Sequence, residues 1–252
     1  MSIFQMIGVD ADDTLWHNER NFVNAQARLA ELLAAYHDQE WIRERLYRTE
    51  MRNLEHFGYG VKAFALSMIE TAIELTEGRI SGAELQALID LAREMLGADV
   101  ELLAHVAETV PLLAEEYPLV LITKGDLLDQ ERKVARSGLA GHFRHVEILS
   151  GKNTKRYAAL LDRHHVSSDR FLMVGNSLRS DILPVLELGA SAVYVPHRHT
   201  WPHEAAEPPP AGKSGFYQIE HFGQLPALLE RLEGERQADG WATGHGAPGS
   251  GE

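Results

Sequence analysis

A short apolar segment near the amino terminus of this chain ends abruptly in acidic residues. The segment contains five apolar residues, Ile3, Phe4, Met6, Ile7 and Val9. Its length and composition predict a buried β-strand. Asp10-Ala11-Asp12 follows directly, and because side chains alternate along a strand, Asp10 and Asp12 share one side. Adjacent carboxylates repel each other unless a cation or a shared proton lies between them. Open α/β folds carry their sites at the carboxyl edge of the sheet, where these two residues are expected. The segment therefore predicts a functional site.

The second half of the chain alternates apolar segments with amphipathic ones. Strands are predicted over residues 119–123, 145–149, 171–174 and 192–195, with a late candidate at 217–222. Helices are predicted between them, over residues 128–137, 154–164 and 181–188, and a last helix over 224–232. Because strands that alternate with helices are typical of a parallel sheet with crossover helices, the pattern predicts an α/β fold.

Between the first two strands, residues 18–117 have an almost continuous helical pattern. Asp38 is a plausible cap for one helix, Ser81 and Glu84 form a capping-box motif for another, and a helix is predicted from Leu102 to Glu116. The glycines of the segment 57–60 interrupt the pattern. An all-helical module inserted into the α/β fold is therefore expected. At the other end of the chain, residues 233–252 are rich in glycine and poor in apolar residues, which predicts a disordered tail.

Charge and composition exclude several classes of function. The net charge of −13 argues against a nucleic-acid-binding protein, which carries a basic patch. The chain has no cysteine, so disulfides, thiolate metal sites and cysteine nucleophiles are ruled out. No segment approaches the roughly 18 uncharged apolar residues that span a bilayer, and the amino terminus lacks a signal-peptide pattern. We therefore expect a cytoplasmic protein without a membrane partner.

Polar residues follow four of the predicted strands in order. They are Asp10-x-Asp12-x-Thr14, then Thr123, then Lys152, then Gly175-Asn176-Ser177 with Asp181. This series resembles the four motifs of the haloacid dehalogenase-like (HAD) hydrolase superfamily. The resemblance implies a Rossmann-like parallel sheet core with helices on both faces, formed by residues 1–16 and 100–232. It also implies that the helical insertion, residues 17–99, is the cap of that family.

The resemblance also implies roles for the motif residues. Asp10 would be the nucleophile, and Asp12 would be the general acid and then the base, its proton affinity tuned by the adjacent anions. Thr123 and Lys152 would hold the phosphoryl oxygens. The expected cofactor is Mg²⁺, bound by Asp10, by the Asp12 carbonyl, and by either Asn176 or Asp181. Asn176 stands where the family more often has Asp, so Asp181 is expected to carry more of the metal binding.

Further candidates for substrate binding come from two loops. Lys124 follows Thr123, although its side chain is expected to point away from the motif. Tyr59 and Lys62 belong to the segment 57–62, which can hang over the site as a cap loop, and an ordinary turn between helices is an equally open interpretation. We interpret Asp13 as a solvated turn residue. The histidine-rich segment 196–203 is interpreted as a solvated loop, and zinc is not expected.

The predicted function is that of a magnesium-dependent phosphatase that hydrolyses a small phosphorylated metabolite through an aspartyl-phosphate. Asp12 favours a phosphatase over a 2-haloacid dehalogenase. Members of the family that are dehalogenases typically lack this second carboxylate, because a halide leaves without a proton. A phosphotransferase or mutase is an alternative because it uses the same intermediate, and a binding module without catalysis is a further one because of Asn176. Both a monomer and a homodimer are compatible with the sequence.

Overall fold

The computed structural model of the protein describes residues 3–243, with side chains described to residue 235. Its core is a six-stranded parallel sheet with the strand order β3-β2-β1-β4-β5-β6. The strands are β1 (Met6–Val9), β2 (Leu119–Lys124), β3 (His145–Leu149), β4 (Phe171–Gly175), β5 (Ser191–Tyr194) and β6 (Phe216–Gln218). The predicted α/β fold with a Rossmann-like parallel sheet is confirmed.

The described residues contain nine α-helices. They are α1 (Glu19–Leu32), α2 (Gln39–Phe57), α3 (Val61–Leu75), α4 (Gly82–Gly97), α5 (Val106–Glu116), α6 (Leu127–Arg136), α7 (Thr154–Arg163), α8 (Leu183–Glu187) and α9 (Leu225–Thr243). A π-helical turn over Leu178–Ile182 precedes α8. Helices α1 to α4 all lie between β1 and β2 in the chain, as the helical pattern predicted.

The register of the central strands determines which side chains meet at the carboxyl edge of the sheet. In β1, Val9 pairs with Leu121 of β2 on one side and with Val174 of β4 on the other. The residues that follow these three strands therefore emerge side by side. Alternation along β1 also separates two hydrophobic clusters, because Ile7 packs on one face of the sheet and Met6 on the other.

Helices α1 to α4 enclose a hydrophobic cluster of their own. Its buried members include Leu29 of α1, Ile42 of α2, Met68 of α3 and Leu88 of α4. Two neighbouring segments connect this unit to the sheet: the Leu103 amide donates to the Leu15 carbonyl at 2.9 Å, and the residue 17 amide donates to the residue 101 carbonyl at 3.0 Å. The helical unit is the insertion that the sequence pattern predicted. Its assignment as the cap of the family and its limits at residues 17 and 99 stay predictions.

Three predicted boundaries need correction. The helix expected from Leu102 begins at Val106, because Leu102 forms an antiparallel bridge with Trp16 between the two connecting segments. The late strand is only Phe216–Gln218. The last helix runs to Thr243 and so includes the beginning of the tail predicted from residue 233, whereas residues 244–252 lie outside the described part of the chain. Of the helices in the described residues, none combines the length and the hydropathy needed to cross a membrane.

Candidate active site

A cavity lies between the carboxyl edge of the sheet and the helical unit. From the sheet side it is lined by Asp10, Asp12, Thr123, Lys124, Lys152, Asn176 and Asp181, and from the helical unit by residues of α1, α2 and α3 together with Tyr59. Its empty volume is about 1130 Å³, with open solvent at its mouth included. The four predicted motifs therefore converge on one cavity, which is large enough for a small organic substrate.

A buried charge network occupies the floor of this cavity. The Lys152 ammonium donates to Asp10 Oδ1 at 2.5 Å and to Asp181 Oδ1 at 2.7 Å, and its side chain is 1% exposed. Burial, with the Asp181 and Asp12 charges, outweighs the attraction of Lys152 and raises the pKa of Asp10 to about 7. Although burial lowers the pKa of Lys152, the two carboxylates raise it above its usual range, so this lysine stays charged. The floor of the site is thus short of positive charge.

Both carboxylate oxygens of Asp181 are engaged within the protein. Oδ1 accepts from Lys152, and Oδ2 accepts from the Ser177 backbone amide at 3.0 Å. Gly175 makes this packing possible, because a Cβ at that position would overlap the Asp181 carboxylate. Asp181 therefore positions Lys152 and closes the turn after β4.

The Thr14 hydroxyl brings two other oxygens together. It donates to Asp10 Oδ2 at 3.0 Å and lies 3.4 Å from Asn176 Oδ1. The Thr14 hydroxyl thus holds a carboxylate oxygen and an amide oxygen near each other in a site that is short of positive charge. Oxygens of these two kinds are suitable ligands for a hard divalent cation. Of the two alternatives expected from the sequence, this geometry favours Asn176 over Asp181 as the second side-chain ligand. In residues 3–243, no cluster of three or more His, Asp or Glu side chains is arranged for a metal, so such a site would depend on the amide and on the Asp12 carbonyl.

Asp12 is held by three donors. Trp16 Nε1 lies 2.7 Å from Oδ1, Gln130 Nε2 lies 2.9 Å from Oδ2, and the Lys133 ammonium lies 2.7 and 2.9 Å from the two oxygens. Burial raises the pKa of Asp12, but the Lys133 charge and these hydrogen bonds outweigh it and lower the pKa below its usual value. The expectation that neighbouring anions tune Asp12 is thus corrected: a cation from α6 dominates.

Thr123 presents a free hydroxyl proton at the end of β2. Its oxygen accepts from Gln130 Nε2 at 2.8 Å, which leaves its own proton available to a group in the cavity. Thr123 is 1% exposed and lines the cavity. The position agrees with the phosphoryl-binding role that the sequence resemblance implies.

Lys124 lies at the cavity within a second ion pair. Its ammonium donates to Ser180 Oγ at 2.8 Å, pairs with the Glu204 carboxylate, and lies 4.4 Å from the centre of the Tyr59 ring. Burial raises the pKa of Glu204, but Lys124 and hydrogen bonds from two serines lower it to about 2. Lys124 thus faces the cavity rather than away from it, but with its charge neutralised by Glu204.

The segment 57–62 divides between the cavity and the rim. Tyr59 lines the cavity, and its hydroxyl lies 3.5 Å from His203 Nε2. Lys62 instead forms an ion pair with Asp126 at 2.9 Å and is not among the described residues that line the cavity. The structure therefore brings Tyr59 to the other candidates but does not bring Lys62 there.

Other residues of the site were not found by the sequence analysis. Gln130 and Lys133 are three residues apart on one face of α6. Helix α6 follows the strand that carries Thr123, and a polar pair on such a helix was the sequence feature that could have indicated them. Asp13 is buried rather than solvated: its carboxylate accepts from the Asn18 and Glu19 amides at the start of α1. The segment 196–203 is likewise not a solvated loop throughout, because residues 199–201 line the cavity.

Comparison with known proteins identifies relatives of this chain in sequence and in fold. Residues 4–189 match the family described as haloacid dehalogenase-like hydrolase. None of the curated proteins compared matches this chain. Among solved structures, a haloacid dehalogenase-like family hydrolase from Xanthomonas campestris is 37% identical, with a TM-score of 0.83, over 93% of this chain and 98% of that one.

Two more distant structures share the fold. A 2-haloacid dehalogenase from Pseudomonas syringae pv. Tomato DC3000 is 22% identical, with a TM-score of 0.60, over 91% of this chain and 99% of that one. The putative HAD-hydrolase YfnB from Bacillus subtilis, solved bound to magnesium, is 16% identical, with a TM-score of 0.61, over 90% and 99%. The family match covers well over half of the sequence, and this chain belongs to the haloacid dehalogenase-like hydrolase family.

Proposed function

We propose that this hydrolase is a magnesium-dependent phosphatase that acts on a small phosphorylated metabolite through an aspartyl-phosphate. The observation that carries the proposal is that Asp10 and Asp12 face one cavity but are paired with different cations. Lys152 holds Asp10, and Lys133 holds Asp12. Two carboxylates in different environments can take different roles, one as nucleophile and the other in proton transfer.

In the first step, an Asp10 oxygen attacks the phosphorus of the ester. A phosphorus–oxygen bond to Asp10 forms, the bond to the ester oxygen breaks, and Asp12 gives a proton to that leaving oxygen. Lys152 and the free hydroxyl proton of Thr123 hold the phosphoryl oxygens while their charge is redistributed. Since Lys133 keeps Asp12 ionised in the free protein, Asp12 takes up a proton from solvent water as the anionic phosphate approaches and raises its pKa.

In the second step, water attacks the phosphorus of the aspartyl-phosphate. Asp12 accepts a proton from this water, the bond between phosphorus and the Asp10 oxygen breaks, and phosphate leaves with Asp10 restored as a carboxylate. The environment of Asp12 suits this basic role directly, because Lys133, Trp16 and Gln130 all favour its ionised form.

Magnesium would be held by Asp10 Oδ2, Asn176 Oδ1 and the Asp12 carbonyl. When bound, it would supply positive charge that offsets the carboxylates of the site and the raised pKa of Asp10. The Thr14 hydroxyl, which contacts both side-chain oxygens, orients them. The magnesium-bound relative from Bacillus subtilis shares the fold and is compatible with this assignment.

The test is hydrolysis of an aryl phosphate by the purified protein with magnesium, with and without a chelator. We expect turnover that stops on chelation, and an Asp10→Asn variant with a loss of about a thousandfold or more. Release of halide from a 2-haloacid, without phosphatase activity, would instead support the reaction of the named dehalogenase relative. Turnover that survives the chelator, or a fully active Asp10→Asn variant, would contradict the proposal.

A further inference from the structure

The helical unit contributes a wall to the cavity that differs in chemistry from the sheet side. We define this cap-side wall by Glu19 and Phe22 of α1, Glu50 and Asn53 of α2, and Phe64 of α3, all of which line the cavity. Phe22 and Phe64 contact each other edge to face, with ring centres 5.0 Å apart. The wall thus combines an aromatic pair with two carboxylates and an amide.

The two carboxylates of the cap-side wall have no partner in the described part of the chain. Neither Glu19 nor Glu50 accepts a hydrogen bond through its side chain or forms an ion pair with residues 3–235. Burial raises the pKa of Glu50 to about 8, and burial together with the Asp13 and Glu50 charges raises the pKa of Glu19 to about 8. An enclosed carboxylate without a cation is unfavourable, so this pair takes up protons near neutral pH. A positive ligand group beside the pair would favour the ionised form and be held by it.

Asn53 provides a second, independent feature of the same wall. It is 6% exposed, and its amide nitrogen donates to Ser67 Oγ at 3.2 Å and to Glu70 Oε2 at 2.6 Å. Because the Glu70 carboxylate only accepts, this contact fixes which atom of the amide is the nitrogen. The Asn53 oxygen is left without a donor among the described residues, at a side chain that lines the cavity. It is a third acceptor that lacks a partner.

The lysines of the cavity lie away from this wall. Of the residues that the structure describes, nine acidic side chains and three lysines line the cavity, and the lysines, Lys124, Lys133 and Lys152, belong to the sheet side. Each is already paired with a carboxylate of that side. Among the described lining residues, α1, α2 and α3 supply neither lysine nor arginine. A further anionic group on the substrate would be repelled at this wall, whereas a cationic group would gain two charge-assisted partners.

We propose that the cap-side wall binds a protonated amine, so that the substrate is a phosphate monoester that carries an ammonium group. The phosphate end lies at Asp10 and Lys152, and the ammonium lies against Glu19, Glu50 and the Asn53 oxygen. The aromatic pair adds a surface that attracts cations and packs on the carbon chain. This inference rests on the proposed phosphatase activity and specifies its substrate class.

The experiment compares esters that differ in charge but are similar in size. The first pair is 2-aminoethyl phosphate and propyl phosphate, and the second is glucosamine 6-phosphate and glucose 6-phosphate. In at least one pair, kcat/KM should be about tenfold or more higher for the amine, as expected for charge-assisted hydrogen bonds. Glu50→Gln, which keeps the shape but removes the charge, should lower this ratio several-fold, because only Glu19 and the Asn53 oxygen then remain for the ammonium. Glu55→Gln, an exposed position on the same helix, should leave both members of each pair unchanged.

A binding measurement separates this inference from the proposed reaction. Calorimetry of the Asp10→Asn variant should show tighter binding of the amine than of its neutral counterpart, and the difference should decrease several-fold in Asp10→Asn with Glu50→Gln. If aryl phosphate is hydrolysed but neither pair shows a preference in turnover or binding, the substrate class is wrong and the phosphatase activity stands. If no phosphate ester is hydrolysed but the amine binds more tightly in a Glu50-dependent manner, the reaction is wrong and the ammonium site stands.

Discussion

Lys133 Nζ lies within 2.9 Å of both carboxylate oxygens of Asp12, and it reaches them from the second half of helix α6. The same ammonium donates to Asn18 Oδ1 at 3.0 Å, immediately before α1. It therefore connects the proton-transfer candidate to the segment that leads into the helical unit. Through its charge it sets the proton affinity of Asp12, which makes Lys133 a positioning residue for the proposed reaction.

Replacing Lys133 by Met should raise the pKa of Asp12, because the cation that stabilises the carboxylate is lost. For an alkyl phosphate, whose leaving oxygen needs the proton, the alkaline limb of the kcat/KM profile should move to higher pH by about 1 to 3 units. The measurement is a pH–rate profile with an alkyl phosphate and with an aryl phosphate, which depends less on acid catalysis. Lys133→Arg, which keeps the charge, should move the limb less, and an unchanged profile in Lys133→Met would show that Asp12 is not the acid.

Asn176 and Asp181 should respond differently to magnesium. Asn176→Asp adds a charge beside Asp10 Oδ2, so magnesium should activate the variant at a concentration roughly ten- to a hundredfold lower. Asn176→Ala should lose activity that high magnesium partly restores. Asp181→Asn removes a partner of Lys152, so the variant should lose activity that magnesium does not restore. Titration of activity against magnesium distinguishes these cases, and rescue of Asp181→Asn instead of Asn176→Ala would reverse the assignment.

Tyr59 contributes its ring to the cavity through contact with Lys124. Tyr59→Ala should raise KM for small phosphate esters, because Lys124 loses the ring that holds it at the cavity, and the rise should be at most roughly 2- to 30-fold, the full value of one interaction between a cation and an aromatic ring. The kcat for aryl phosphate should change less than the ratio of kcat/KM values between different phosphate esters. Tyr59→Phe keeps the ring and should resemble the unchanged protein. Equal kinetics in all three proteins would return the segment 57–62 to the interpretation of a simple turn.

Much of the site could be predicted because its residues follow strands. Asp10, Thr123, Lys152 and Asn176 each occur where an apolar segment ends, and parallel strands bring their carboxyl ends to one edge. The strand pattern therefore predicted both the fold and the convergence of these side chains. It could not distinguish the roles of Asn176 and Asp181, because that depends on which oxygens are already occupied by hydrogen bonds.

The remaining residues of the site depend on tertiary contacts that carry no local pattern. Lys133 and Glu204 are ordinary charged residues in the sequence, and only the fold places them opposite Asp12 and Lys124. The wall formed by Glu19 and Glu50 arises where two helices meet, far apart in the chain. Asp13 was misinterpreted for a similar reason, since its burial follows from the amides of α1 that close over it.

The part-buried Lys124–Glu204 pair should make stability depend on pH. The pKa of Glu204 is about 2 in the folded protein against an ordinary 4.5, and its side chain is 11% exposed. A carboxyl group whose pKa is lowered by folding stabilises the protein fully above pH 4.5, and this stabilisation is lost as the pH falls towards 2. For Glu204 the full contribution is about 3 kcal/mol. Chemical unfolding of Glu204→Gln should therefore show a deficit near this value at pH 7 that narrows steadily below pH 4.5. Glu207→Gln, exposed in the same segment, should show no deficit, and a deficit for Glu204→Gln that stayed constant with pH would mean that the ion pair does not determine it.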